Sequence, residues 1–255
     1  MSLYRQQLGY GPDLVLLHGW GMNAAVWEPL LPGLSERFRL TVVELPGHGG
    51  SAPAAAADLS EWAELCLSVA PACAHWLGWS LGGQVALCAA LFAPERVTGL
   101  SLVATTPRFV QEPGWPCAMP VETFEQFAAA LHGDPNATLS RFLALQVRGA
   151  EHARETLKLL RAELAQRPPS SETGLAQGLD LLLRNDLRAE LKDLSCPSHW
   201  LFGSRDTLVP AEMQQKLPAI LPDADIEEIR GAGHAPFLSH PYASLDALIR
   251  TTGAI

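Results

Sequence analysis

The chain predicts an α/β fold, a mainly parallel sheet flanked by helices, with an all-helical insert between its early strands and its last two. Three observations lead there. Short continuous apolar runs end at Gly or Pro, helical stretches separate those runs, and the alternation breaks once before strand signals return. Continuous apolar runs of this length suit strands buried on both faces of a sheet. Strands alternating with helices give parallel crossovers rather than hairpins. With 255 residues, 48% hydrophobic and 18% charged, the chain can bury a large core, and disordered, collagen-like and coiled-coil classes are excluded.

Taken in order, Leu14 to Leu17 is the first predicted strand and stops at His18-Gly19. Leu40 to Val43 is the second and stops near Pro46-Gly47. Asp58 with Glu61 has the spacing of an N-cap and its reciprocal partner, opening a helix through Trp62 to Leu65. His75 to Gly78 is a strand leading into Ser80, and Gln84 to Phe92 is an apolar helix ended by Pro94. Leu77 to Ala93 could mislead a hydropathy scan, but Ser80, Gly82, Gly83 and Gln84 interrupt it and it is short for a bilayer. Leu100 to Val103 is the next strand. After it the rhythm changes: a proline cluster at Pro113, Pro116 and Pro120 precedes helical patterns at 124–131, 138–147, 152–164 and 174–184. His199 to Phe202 and 225–230 restore the strand signal. We therefore expect a core of residues 1–108 and 186–255 and a helical cap of 109–185, set over the carboxyl ends of the strands where open sheets bind ligands.

The formal net charge is −9, which disfavours nucleic acid and anionic membranes as partners, since both demand a positive surface. Cys66, Cys73, Cys88, Cys117 and Cys196 show no metal-ligand or paired spacing and read as reduced thiols. The N-terminus shows no basic region followed by an apolar stretch, so a cytoplasmic protein is expected. No metal cluster or nucleotide-binding loop occurs, and no cofactor is expected.

The strongest chemical signal is Gly78-Trp79-Ser80-Leu81-Gly82, a G-x-S-x-G between an apolar strand and an apolar helix. A tight strand-to-helix turn needs small flanking residues, and it thrusts the serine into a cleft at a helix N-terminus whose partial positive charge favours an oxyanion. The pattern alone also describes ordinary turns; its place between strand and helix favours a nucleophile. His18-Gly19-Trp20-Gly21 follows the first strand and can aim the Trp20 N–H at the same point as the N–H of Leu81, making an oxyanion hole. A serine needs a base, and the base an orienting acid. His234 lies in a glycine-flanked loop after the last predicted strand, whereas His48, His75, His132, His152, His199 and His240 lack that context. Asp206 follows the 199–202 strand, while Asp186 and Asp193 precede it. The order Ser80, Asp206, His234 is the order found in α/β-hydrolases.

Beyond the triad, the chain resembles the α/β-hydrolase superfamily along nearly its whole length. More narrowly it resembles the pimeloyl-[acyl-carrier protein] methyl ester esterases of biotin synthesis. Five segments carry that likeness: Leu16 to Gly21, Leu45-Pro46-Gly47, Trp76 to Gly83, Arg141-Phe142-Leu143-Ala144-Leu145-Gln146, and Ala232 to Phe237. The resemblance implies a serine carboxylesterase that frees pimeloyl-acyl-carrier protein and methanol. It implies an acyl site of Trp20, Ser80, Leu81, Phe142, Leu143, Ala144, Leu145, Gln146 and His234. It also implies carrier docking through Arg141, Arg154 and Lys158, with Ala137 where the family pattern has another arginine. The charge map bears on docking independently: 141–167 holds six basic residues against three acidic ones, a local +3 in an acidic chain. Arg154, Lys158 and Arg161 share one helical face. A solvated face is the ordinary meaning of such a run; beside an apolar acyl site, an acidic carrier is the better one. A monomer is expected. A general short-chain carboxylesterase, a lyase on the same fold and a noncatalytic binding protein are the competing readings.

Overall fold

The computed structural model of the chain describes residues 2–252. Seven strands, Arg5–Leu8 (β1), Asp13–Leu17 (β2), Arg39–Val43 (β3), Ala74–Trp79 (β4), Val97–Val103 (β5), Ser198–Gly203 (β6) and Asp225–Ile229 (β7), form one sheet in the order β1-β3-β2-β4-β5-β6-β7. All neighbours are parallel except β1 and β3. β1 is the strand no apolar run foretold. Its sequence is Arg-Gln-Gln-Leu, its first three residues are exposed, and it caps the sheet edge with polar side chains.

The inner strands alternate sides in the way period-2 geometry requires. Val15 and Leu17 face one apolar layer, and Leu14 and Leu16 face the other. The first layer is closed by Leu59–Val69 (α2) and Leu81–Phe92 (α3), through Trp62, Cys66, Val85 and Ala89. The second is closed by Leu31–Ser35 (α1), Pro236–Ser239 (α9) and Pro241–Thr251 (α10), through Leu34, Phe237 and Leu248. Glu212–Ile220 (α8) sends Met213 and Leu217 into the first layer. α3 is apolar on every side because it is buried almost throughout.

Asp58 caps α2, accepting from the N–H groups of Ser60 and Glu61. Glu61 does not reciprocate toward Asp58, as its spacing suggested. Its carboxylate instead reaches the N–H groups of Ala55 and Ala56, both at 3.0 Å, and closes the loop ahead of the helix.

Between β5 and β6 stand Val121–Gly133 (α4), Pro135–Gln146 (α5), Ala153–Leu164 (α6) and Glu172–Arg184 (α7). Asp134 and Ser171 cap α5 and α7 with side-chain oxygens, and Pro135 occupies the first turn of α5, where a missing N–H costs nothing. α7 is fastened to the sheet side. A side chain at Gly47 would meet the Gly174 Cα at 2.4 Å, and the Ser171 N–H donates to the Gly47 carbonyl at 2.8 Å. Arg167, just before α7, grips the buried Glu44 with two bonds of 2.6 and 3.1 Å and lies over the Tyr4 ring.

Candidate active site

Ser80 stands where β4 turns into α3. β2 lies beside β4 in the sheet, but the chain proceeds outward from β2 to β3 before returning, so the crevice between β2 and β4 is the switch point of the sheet. The turn is built by close backbone contact. A Cβ at Gly78 would lie 2.5 Å from the Gly83 Cα, and one at Gly82 would lie 2.4 Å from the carbonyl oxygens of Leu17 and His18. Both positions therefore exclude any side chain. Ser80 itself holds φ 55° and ψ −116°, a conformation that leaves its hydroxyl pointing out of the elbow.

The structure brings the three motif residues together. The Ser80 hydroxyl lies 3.0 Å from His234 Nε2, and His234 Nδ1 lies 2.7 Å from Asp206 Oδ2. Hydrogen-bond partners set the imidazole as an Nδ1–H donor to the carboxylate, leaving Nε2 to accept from serine. The second carboxylate oxygen, Oδ1, accepts from the Leu208 and Val209 N–H groups at 2.8 and 3.0 Å, so the acid is fixed at both oxygens. All three residues are buried. The rival acids lie elsewhere: Asp186 is exposed and bound to Arg188, and Asp193 is exposed in a short turn.

His234 is also held by its own main chain. Its carbonyl accepts from the Trp79 indole at 2.8 Å, and its N–H donates to the Gln146 carbonyl at 2.9 Å. Sequence reasoning gave Trp79 no role, since its partner lies 155 residues away. A buried indole beside a motif serine is the only signal that pointed there.

The loop after β2 lies against the serine. A Cβ at Gly19 would come 3.4 Å from the Ser80 Cβ, and Leu81 opens α3 with an N–H that has no intrahelical acceptor. His18 anchors this loop. Its Nδ1–H donates to the Gly19 carbonyl at 2.8 Å and its Nε2 accepts from the Leu45 N–H at 3.1 Å. Burial lowers its pKa to about 4, so it remains neutral. His48 packs beside it and is lowered to about 3, again chiefly by burial.

Trp20 forms the wall facing the helices. Its indole donates to the Leu175 carbonyl at 2.8 Å, its ring meets Phe142 edge-on at 4.7 Å, and Gly178 leaves it room. Phe127 extends this aromatic row beyond Phe142. The α5 segment is divided by helical geometry. Phe142 faces Trp20 and Leu81, with Leu145 packed against the same layer; Leu143 joins the opposite layer with Trp79 and Leu160. Gln146 is buried next to His234, whereas Ala144 is exposed. Arg141, Arg154, Lys158 and Arg161 are exposed, and among the described residues none of the four forms an ion pair. Arg167, counted in the basic run, is taken up by Glu44.

Residues 14–247 match the model of the alpha/beta hydrolase family. A pimeloyl-[acyl-carrier protein] methyl ester esterase from Photobacterium profundum is 45% identical over 240 residues, covering 94% of each chain. One from Pectobacterium carotovorum subsp. carotovorum is 45% identical over 249 residues, covering 97% of each. Among solved structures, an esterase from Exiguobacterium antarcticum superposes with a TM-score of 0.87 at 24% identity, covering 97% of this chain and 94% of that one. Sheet order, elbow, and the matches along the chain lead to one conclusion: this protein belongs to the α/β-hydrolase family.

Proposed function

We propose that the protein is a serine carboxylesterase that hydrolyses the methyl ester of pimeloyl-acyl-carrier protein. The observation that carries this reading is the continuous relay of Ser80, His234 and Asp206, at 3.0 and 2.7 Å, beside the Trp20–Phe142 wall. Its substrate is taken from the names of relatives as similar as 45% over nearly the whole chain.

Ser80 Oγ attacks the ester carbonyl while His234 Nε2 takes its proton. Asp206 holds the ring tautomer and stabilises the imidazolium. The N–H groups of Trp20 and Leu81 receive the oxyanion, each such donor being worth about 3 kcal/mol of barrier. His234 then protonates departing methanol. Water, deprotonated by the same imidazole, releases the free carboxylate from Ser80. No step calls for a cofactor.

Residues 109–185 serve as the cap over the core of 1–108 and 186–255. Trp20, Leu81, Phe142, Leu145 and Gln146 cover the acyl chain. Leu143 supports α5 from behind. Arg141, Arg154 and Lys158 hold the acidic carrier, with Arg161 continuing their face and Ala137 leaving one contact out. On this reading a monomer works in the cytoplasm. Among the described residues no helix is long and apolar enough to cross a membrane.

A short p-nitrophenyl ester, assayed with the native enzyme and with Ser80→Ala, tests the chemistry. Turnover is expected to vanish in the variant; substantial residual kcat removes Ser80 as nucleophile. Comparing the methyl ester on the carrier with the same ester free in solution tests the substrate. Equal kcat/KM for the two supports a general esterase instead.

A further inference from the structure

The last residue of α5, Gln146, and the turn that follows it, residues 147–151, touch both loops that carry the His–Asp pair. The Gln146 carbonyl accepts the His234 N–H at 2.9 Å, and the Gly231 carbonyl accepts the Glu151 N–H at 2.9 Å. From the acid side, Arg205 adjoins Asp206 and sends its guanidinium to the Gly149 carbonyl at 3.3 Å and the Glu151 carboxylate at 3.2 Å. The two loops are also bonded to each other. The Arg205 N–H donates to the Ala232 carbonyl at 2.9 Å, and the Gly231 N–H donates to Ser204 Oγ at 2.8 Å. Glycine allows this approach. A Cβ at Gly233 would lie 2.8 Å from the Gln146 carbonyl oxygen, and Gly231 has φ +83° with the Glu151 carboxyl group against it.

We propose that Arg205 and Glu151 are positioning residues that fasten the α5–α6 turn to the acid and base loops, so that the seating of α5 sets the alignment of His234. The inference rests on the triad reading and deepens it. Phe142 and Gln146 lie one helical turn apart on α5: the first meets Trp20 in the acyl wall, and the second holds the base. A helix moves as a rigid unit, so an acyl chain that settles against Phe142 also settles the Gln146 carbonyl on His234. Chain-filling esters then gain in kcat and not merely in KM, since the contact acts on proton transfer and not on uniform binding. Arg205 and Glu151 are each half-exposed, and an ion pair in water adds little to fold stability. Their effect on rate is therefore separable from unfolding.

The test compares Arg205→Gln, Glu151→Gln, the double variant and Arg205→Lys in the full chain, with Ser80→Ala alongside. A short p-nitrophenyl ester and a methyl ester of a longer acyl chain are the probes. Each single Gln variant is expected to lower kcat by roughly 3- to 10-fold, more for the longer chain, with KM and Tm unchanged. The double variant is expected to be no worse than either single, and Arg205→Lys to keep most of kcat. Unchanged kcat in both single variants overturns the proposal. So do losses that track a falling Tm, or losses that multiply in the double variant. If Ser80→Ala retains turnover, the triad reading fails and the inference falls with it. If Ser80→Ala is dead while the Gln variants are native-like, the positioning role alone fails.

Discussion

At Ser80 the backbone sits at φ 55° without being glycine, a conformation that costs about 1–3 kcal/mol. The surroundings over-determine it. The Ser80 N–H is bound to the Val103 carbonyl, and the Ser80 carbonyl receives the N–H groups of Gly83 and Gln84. Ser80→Gly is thus expected to abolish turnover and yet raise Tm, because glycine adopts positive φ without penalty. A lowered Tm, read by calorimetry, contradicts stored strain at this position. His18 makes a second prediction. Its pKa is about 4 in the fold against 6.5 in a free chain, so the unfolded chain binds the extra proton between those values. Stability is full above pH 6.5 and falls as pH drops toward 4, by on the order of 3 kcal/mol from this residue alone. His48 adds to that loss in the same direction. Urea midpoints at pH 7 and pH 5 measure the slope, and equal midpoints refute it.

At the scale of elements, local rules carried far and then stopped. The strands at 13–17, 39–43, 74–79, 97–103 and 198–203 were legible because burial on both faces fills them mostly with apolar residues, the buried Thr41, Ser101, Ser198 and His199 being exceptions. Ser80, Asp206 and His234 were legible because each follows a strand end, where a parallel sheet gathers its loops. β1 was not, since a polar edge strand is chosen by its partner β3 and not by its own pattern. The Trp79–His234 and Gln146–His234 bonds were hidden for a similar reason, as both depend on how distant segments pack. The same holds for Arg167. It looked like one more cation in a basic run, but it crosses 123 residues to a carboxylate with no exposed side-chain surface. Arg167→Met leaves Glu44 with only the N–H groups of Ala24 and Gly50. We expect a loss of roughly 2–3 kcal/mol of stability, since breaking a buried pair strands a charge. Denaturation of the variant measures it, and a native-like midpoint contradicts the latch.

For the whole molecule, charge is distributed unevenly. A body of net charge −9 carries an exposed row of Arg154, Lys158 and Arg161 on α6, with Arg141 on α5. A row of this kind steers an acidic partner and weakens with salt. Arg154→Gln with Lys158→Gln is expected to raise KM for carrier-linked ester roughly 5- to 10-fold at low salt, while short free esters are unaffected. Equal changes for both substrates, or no loss of the difference in salt, count against docking on this face.

Ester hydrolysis at Ser80 on a carrier-borne chain leaves a signature in mass. Intact-mass analysis of the carrier after incubation with the enzyme tests it most directly. The expected product is a carrier lighter by one CH2, its thioester intact, with methanol released in equal amount and none of this with Ser80→Ala. A carrier returned as the free thiol, or unchanged while short esters are turned over, would contradict it.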